Sequence, residues 1–316
     1  MRLCLMLPAK PTLQWEIASQ LGVEEVITKA APELSGLGEP SDFASLEAVV
    51  KRFRERGLRV VGLEGDEMDM SRIKLGLPGR DDDLERYCRM LENMGCLGIE
   101  MICYNFMAGV GWYRSRNDLP ERGGALTSGF DLREIDNSAT PVLSEEQLWS
   151  NYDYFIRAVM PTAERCGVRM GLHPDDPPIS PLLGYPRILT SADAYRRALA
   201  LSDSPSHGVT FCQATFRVMG EEVSRLIEEW GPRIFLLHFR DTTGTRTCFR
   251  ETFHDNGPTD MAALIRQVRR HCPDCLIRPD HTPTMAGESN ANFGYATLGN
   301  IFAVGYLRGL MEQVGD

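Results

Sequence analysis

The sequence lacks the long hydrophobic runs, basic clusters and nucleotide-binding motifs of several large protein classes. No stretch approaches the roughly 18–20 consecutive apolar residues that a membrane helix requires. The formal net charge is −10 and no run of lysines and arginines stands out, so nucleic acids and anionic membranes are disfavoured as partners. A phosphate-binding loop, a helical zinc-protease motif, a serine nucleophile elbow and an EF-hand loop are also missing from the sequence.

The cysteines and the first residues indicate a cytoplasmic protein. The nine cysteines are scattered and odd in number, which is typical of reduced thiols in the cytoplasm. Cys272 and Cys275 have the spacing of half a zinc site, but no second pair accompanies them. We therefore interpret them as a loop that leads into a strand. The first eight residues are apolar, but the run is too short for a signal peptide and instead predicts a buried strand.

Apolar, strand-like runs alternate with helical segments along the whole chain. Eight strands are predicted, over residues 3–7, 26–29, 59–63, 99–105, 168–173, 208–212, 234–239 and 276–280. Eight helices are predicted between and after them, over residues 13–21, 46–56, 82–93, 145–166, 192–201, 221–230, 261–271 and 301–314. Residues 234–237 are apolar without alternation, as in a parallel strand buried on both faces. We predict a single-domain (β/α)8 TIM barrel over residues 1–316. The alternative, a doubly wound sheet, would more naturally show an early glycine-rich turn.

Several helix ends and two long connections can be placed from local signals. Gly22, Gly57, Gly95 and Gly167 each follow a helical segment and are predicted as left-handed C-caps. Ser144 and Gln147 have the spacing of a capping box, although the first turn could also start at Glu145. The connections at about 106–141, after the fourth strand, and 174–190, after the fifth, are unusually long. Loops that follow barrel strands lie on the catalytic face, so both are predicted to serve the site.

Four potential metal ligands lie at the ends of four successive predicted strands, namely His173, Cys212, His238 and Asp280. In a barrel that closes in chain order, these strand ends form one arc, and two imidazoles, a thiolate and a carboxylate suit a divalent transition metal. Each residue alone is more often structural, and the joint occurrence carries the prediction. The thiolate favours zinc or iron and the carboxylate also admits manganese, and spacing does not choose between them.

Other polar residues near the predicted strand ends are candidates for the site. His281 follows Asp280 and is well placed for proton transfer. Arg114, which follows Trp112 in the long loop, could clamp a carboxylate, and Arg187 is a weaker case. Each could equally be an ordinary surface arginine. His254 and Glu251 are predicted in the loop after the seventh strand, where they are either exposed to solvent or part of the site. Tyr295 is either a phenolic acid or a packed aromatic residue. Asp175 and Asp176 would orient ligand imidazoles or simply form a turn.

Seven segments together resemble the mannonate dehydratase family, in order and over most of the chain. They are His173-Pro174-Asp175-Asp176-Pro177-Pro178, Phe211-Cys212-Gln213, His238-Phe239-Arg240, Arg278-Pro279-Asp280-His281, Tyr104-Asn105-Phe106-Met107, Trp112-Tyr113-Arg114 and Gly305-Tyr306-Leu307-Arg308-Gly309-Leu310. The resemblance implies a TIM barrel, a divalent ion that is usually manganese, and dehydration of D-mannonate to 2-keto-3-deoxy-D-gluconate. It also suggests a homo-oligomer. The sequence departs from the family after His281, where the family usually has a glycine and a basic residue and this chain continues Thr282-Pro283.

The resemblance implies roles for particular residues. It makes His173, Cys212, His238 and Asp280 the metal ligands, with Mn²⁺ expected first and Fe²⁺ or Zn²⁺ as alternatives. It suggests His281 as an acid or base, and we expect Tyr295 or His254 in the other role. Predicted contacts to the sugar-acid substrate are from Arg114, Trp112, Asn105, Glu251 and Arg187. Two alternatives remain open: a sugar isomerase or epimerase that also uses Glu64 and Glu251 as ligands, and a non-catalytic binding protein with a structural metal.

Overall fold

The computed structural model describes residues 1–314, which contain twelve strands and eleven α-helices. The strands are β1 (Arg2–Met6), β2 (Glu25–Thr28), β3 (Arg59–Glu64), β4 (Met101–Tyr104), β5 (Arg116–Pro120), β6 (Leu126–Asp131), β7 (Arg169–Leu172), β8 (His207–Cys212), β9 (Ile234–Phe239), β10 (Thr242–Thr245), β11 (Cys248–Glu251) and β12 (Leu276–Pro279). The helices are α1 (Leu13–Gln20), α2 (Pro32–Ser35), α3 (Phe43–Arg54), α4 (Ser71–Leu75), α5 (Arg80–Cys96), α6 (Glu145–Cys166), α7 (Ala192–Leu199), α8 (Gln213–Met219), α9 (Val223–Trp230), α10 (Met261–His271) and α11 (Thr297–Gln313).

Eight parallel strands close into a barrel in the order β1-β2-β3-β4-β7-β8-β9-β12, and β12 pairs with β1. This confirms the predicted (β/α)8 fold. All eight predicted strands form, with bounds within two residues of the prediction. Residues 315 and 316 of the predicted domain lie outside the described part of the chain.

Side chains of the barrel strands alternate between two cores. Leu5 and Val26 pack into the large core that includes the surrounding helices. Their neighbours Cys4 and Ile27 belong to a separate cluster with residues of β3, β4, β9 and β12. Because successive side chains of a strand point to opposite faces, every second residue points into the barrel, where these residues form an apolar core. The polar residues lie at the strand ends.

The long connection after β4 is not a plain loop. It contains β5 and β6, which join β10 and β11 from the connection after β9 in a four-stranded antiparallel sheet. Glu251 therefore ends a strand and does not lie in a loop. The pairing of β6 with β11 draws these two distant segments together over one end of the barrel.

Two local predictions have different outcomes. Ser144 accepts a hydrogen bond from the Gln147 backbone, and the Gln147 side chain accepts one from Ser144, so the capping box is confirmed. The prediction for Gly95 is wrong, because Gly95 lies inside α5, and Gly98 has the left-handed backbone, with φ of 72°. A β-carbon on Gly95 would meet the Cys166 carbonyl oxygen at 2.7 Å, so Gly95 permits α5 and α6 to approach closely.

Candidate metal and substrate site

Three of the four predicted metal ligands converge at the mouth of the barrel. One potential ligand atom from each of His173, Cys212 and His238 lies within 4.8 Å of the other two. Parallel pairing explains the convergence, because Cys212 of β8 lies opposite His238 of β9 and β12 continues the ring beside them. Asp280, just after β12, is adjacent, with its Oδ2 atom 3.6 Å from Nδ1 of His238.

The histidines of this group have nitrogen atoms free for a cation. His238 is 1% exposed, and neither of its ring nitrogens makes a well-aligned hydrogen bond; carboxylate oxygens of Glu64 and Asp280 lie 3.4 and 3.6 Å from Nε2 and Nδ1. Leaving such buried polar atoms unpaired costs about 1–3 kcal/mol each, which a bound ion would offset. In His173 the Nδ1 atom lies 2.7 Å from the Pro174 carbonyl oxygen, which leaves Nε2 available. Burial lowers the pKa of His173 and so favours the neutral, metal-binding imidazole.

Two buried arginines hold the Asp280 carboxylate. Arg278 donates to Oδ1 of Asp280 at 2.9 Å, and Nε of Arg240 lies 3.0 Å from Oδ2. Although burial opposes it, the positive charges of His281, in its protonated form, and of Arg278 hold the pKa of Asp280 well below its usual range. Asp280 is therefore a carboxylate anion, whose position is fixed from two sides.

Arg240 also connects Asp280 to the cysteine ligand. It donates to the Thr215 hydroxyl at 2.9 Å, and that hydroxyl donates to Sγ of Cys212 at 3.1 Å. Thr215 reaches Cys212 because α8 begins directly after β8, so the side chain three residues on returns over the strand end. Arg240 further donates to Asp176 at 2.8 Å.

A second group of possible ligands, Glu64, Cys103 and His238, also lies within 4.8 Å. Glu64 accepts two hydrogen bonds from Arg278, at 2.5 and 3.1 Å. Although burial acts to raise it, the charge of Arg278 lowers the pKa of Glu64 to about 2. Burial raises the pKa of the Cys103 thiol well above its usual range. Because its thiol holds its proton more tightly, this group is the poorer cation site.

A cavity of about 340 Å³ opens beside these residues. Its polar and aromatic lining is Lys29, Glu64, Asp66, Cys103, Tyr104, Asn105, Trp112, His173, Asp176, His238, Arg278, Asp280, His281 and Tyr295. His281 Nδ1 lies 2.8 Å from Oε1 of Glu251, and its ring contacts those of Trp112 and Tyr295 at centroid distances of 4.7 and 5.4 Å. Burial raises the pKa of Tyr295, so the phenol stays protonated.

Other predicted site residues lie behind the cavity wall. The Arg114 side chain is fully buried and makes a two-pronged ion pair with Asp176, at 2.7 and 2.8 Å, and a second pair with Glu251 at 2.6 Å. Arg187 is buried against Asp175 at 3.4 Å and donates to backbone carbonyls of the long loop. Both guanidiniums are already bound to carboxylates, so their placement favours positioning roles over the direct substrate contact that the sequence predicts.

Asn105 and His254 differ in their access to the cavity. Asn105 lines it and accepts a hydrogen bond from Lys74 at 3.0 Å. His254 is not among the lining residues; its Nε2 lies 2.7 Å from the Phe239 carbonyl oxygen, and burial lowers its pKa to about 4. The geometry therefore separates His254 from the residues that face the cavity.

Comparison with known proteins identifies the family. The sequence matches the family model D-mannonate dehydratase (UxuA) over residues 7–143 and 138–316. A mannonate dehydratase of Streptococcus equi subsp. zooepidemicus is 34% identical over 272 residues, which cover 76% of this chain and 74% of the relative. The chain belongs to the D-mannonate dehydratase family. The predicted family and enzyme class, a hydro-lyase, are confirmed.

Further relatives agree over nearly the whole chain. A mannonate dehydratase of Streptococcus pneumoniae is 30% identical and covers 96% of this chain and 90% of its own. The crystal structure of mannonate dehydratase from Streptococcus suis serotype 2 has a TM-score of 0.90 and 30% identity, and covers 99% of this chain and 93% of that one. A 3-keto-D-glucoside 4-epimerase from E. coli, at 15% identity and a TM-score of 0.63 over 98% of this chain and 99% of that one, shares the fold.

The sequence interpretation of this mannonate dehydratase family member missed the two arginines that hold Asp280. A signal was present, because residues two apart in a strand point to the same side: Arg278 accompanies Asp280, and Arg240 accompanies His238. Asp175 and Asp176, for which the sequence left an orienting role or a simple turn open, form ion pairs with Arg187 and Arg114. Among residues 1–314, no helix is long and apolar enough to cross a membrane.

Proposed function

We propose that this chain removes water from a sugar acid, with D-mannonate converted to 2-keto-3-deoxy-D-gluconate as the first candidate reaction, and that it uses a divalent cation. The proposal depends on one observation: His173, Cys212 and His238 offer converging ligand atoms, and the buried ring of His238 has no hydrogen-bond partner. The relatives named mannonate dehydratase support the choice of reaction.

His173, Cys212 and His238 would hold the cation, with Asp280 as the fourth ligand. A bound divalent cation would draw negative charge from the substrate carboxylate and an adjacent hydroxyl oxygen as the C2 proton leaves. Mn²⁺ is our first expectation because of the carboxylate ligand, and Fe²⁺ or Zn²⁺ would be favoured by the thiolate of Cys212.

His281 is the proposed base. When Nδ1 donates its proton to Glu251, the lone pair of Nε2 is free to accept the C2 proton. Glu251 then stabilises the positive imidazolium, in the same way that an acidic partner orients a catalytic histidine. The flanking ring of Trp112 limits the orientations of His281 and excludes water from one side.

Tyr295 is the proposed acid. It lines the cavity next to His281, and burial keeps its phenol protonated, so it can donate a proton to the departing C3 hydroxyl group. His254, the other candidate, is hydrogen-bonded to a backbone carbonyl and does not line the cavity. The geometry therefore favours Tyr295 for this role.

The test is metal analysis and keto-acid formation with purified protein and D-mannonate. We expect bound divalent metal, loss of turnover on chelation, and recovery when Mn²⁺ is returned. His173→Ala and His238→Ala should lose both metal and turnover, while His271→Ala, in a helix away from the site, should retain both. A His238→Ala protein that has no metal but retains full turnover would rule out the proposal.

A further inference from the structure

Lys29 brings a positive charge to the side of the cavity opposite the cysteine ligand. It follows β2 directly and lines the cavity. In the closed ring, β2 lies four strands away from β8, which carries Cys212, in either direction. The Lys29 stem lies over Gly65, since its Cδ and Cε atoms would be 3.6 and 3.7 Å from a β-carbon added there. The ammonium group is therefore held at the mouth of the barrel, away from the strand ends that would bind the cation.

The carboxylates that line the cavity do not neutralise this charge. Glu64 and Asp280 are bound by Arg278. Asp176 is bound by Arg114, and Asp66 by Lys74 at 2.7 Å. Each of these negative charges already has a cationic partner, so none is left over for Lys29.

Within residues 1–314, the one ion pair of Lys29 is with Glu33, at 3.4 Å. The Glu33 side chain is 64% exposed, and an exposed pair of this kind is weak and easily exchanged for another partner. The nearby Glu67 is buried, and its Oε2 atom accepts a hydrogen bond from the Ala30 backbone at 2.8 Å; burial raises the pKa of its carboxyl well above the usual range, although the charge of Lys29 acts to lower it. Lys29 is thus a cation of the cavity wall that is available to a ligand.

We infer that Lys29 is a specificity-determining residue that donates hydrogen bonds to the hydroxyl groups at the far end of a sugar acid, and so selects long aldonic acids over short ones. The inference rests on the proposed function, which places the substrate carboxylate at the opposite side, beside His173 and His238. An extended, polyhydroxylated chain that starts there points across the barrel mouth towards β2. An ammonium group provides three donors for hydroxyl oxygens without requiring a second negative charge on the ligand.

The test measures the binding of two acids by titration calorimetry to Mn²⁺-loaded protein with and without Lys29→Met, both carrying Tyr295→Phe so that the acids bind without turnover. D-Mannonate has six carbons, while L-erythronate has the same configuration at C2 and C3 but lacks C5 and C6. Loss of a charged hydrogen bond should weaken D-mannonate binding by about 10- to 100-fold. L-Erythronate, which does not reach Lys29, should bind equally well with and without Lys29→Met.

Two control variants separate a ligand contact from a structural effect. Lys51 forms a similar exposed pair with Glu55, at 3.8 Å and four residues apart, on α3, so Lys51→Met should bind both acids as the wild type does. Glu33→Gln removes the partner of Lys29 and should leave D-mannonate binding as tight or tighter. Weaker D-mannonate binding in Glu33→Gln, comparable to that of Lys29→Met, would overturn the inference.

The remaining outcomes distinguish this inference from the proposed function. If Lys29→Met weakens the binding of both acids equally, Lys29 contacts the carboxylate and the inference is overturned. The inference is also overturned if Lys29→Met weakens the binding of neither acid. If the wild type forms keto acid from D-mannonate, these results count against Lys29 alone. If the wild type binds D-mannonate with the expected pattern but never forms keto acid, the proposed reaction fails and the role of Lys29 stands. Failure of the wild type to bind either acid would overturn both.

Discussion

His207 makes the stability of the barrel depend on pH. Its side chain is fully buried at the start of β8, with Nε2 3.3 Å from the Tyr152 hydroxyl. Burial lowers its pKa from 6.5 to about 4. Between these pH values the unfolded chain binds a proton that the folded protein does not, so folding loses stability as the pH falls. The stabilisation is complete above pH 6.5, and the loss amounts to about 2 kcal/mol at pH 5 and about 3 kcal/mol below pH 4.

The perturbation is His207→Phe, which keeps a ring of similar size. Tyr152 keeps a partner, because its hydroxyl lies 2.9 Å from that of Tyr104. Urea unfolding at pH 8 and pH 5, in EDTA so that metal release does not contribute, gives the free energy of unfolding for each protein. The wild type should lose about 2 kcal/mol more than the variant between these pH values. Tyr152→Phe, the control, should behave as the wild type does. Equal losses in wild type and His207→Phe would refute the reasoning.

Three further predictions concern the site. Glu251→Gln should lower kcat by about 10- to 100-fold with D-mannonate while metal content, measured by emission spectrometry, stays unchanged, because the His281 imidazolium loses its anionic partner; equal kcat would contradict it. Arg114→Met should lower the free energy of unfolding by about 3 kcal/mol in urea, since it leaves buried carboxylates short of a cation; a loss below 1 kcal/mol would argue against this. Cys212→Ser should reduce the affinity for Zn²⁺ relative to Mn²⁺ by at least about tenfold in competition with metal buffers, because the soft thiolate is lost; an unchanged ratio would show that sulfur does not bind the ion.

The barrel could be predicted from sequence because its strands are buried on both faces. All six residues of β9 and of β8 are buried, so apolar runs mark these strands without the interruptions of a solvated sheet. The small sheet of β5, β6, β10 and β11 could not be predicted in the same way. β5 is exposed along most of its length, and its pairing with β6 is irregular. Its residues are polar, and they form strands through long-range pairing that leaves little local signal.

The ligand arc was predictable because strand ends of a parallel barrel meet at one face. The positions of His173, Cys212 and His238 follow from strand order and length alone. Strand order and length do not predict the direction in which the side chain of a loop residue points. Arg114 precedes β5, and only the pairing of β6 with β11 brings it to Glu251. Sequence reasoning therefore identified it as a site residue but assigned its contact to the substrate.

The charges at the barrel mouth explain why Arg114, predicted to bind the substrate, and Lys29, which lines the cavity, have different partners. Four carboxylates, from Glu64, Asp176, Glu251 and Asp280, are buried there, and a buried anion without a partner is strongly destabilising. Arg114, Arg240 and Arg278 form ion pairs with all four, and their planar donors suit carboxylates that must be fixed in place. Guanidiniums committed in this way have no charge left for a substrate anion. Lys29, whose ion pair is with the exposed Glu33, lies outside this network, which is why we assign the hydroxyl groups of the substrate to it and not to an arginine.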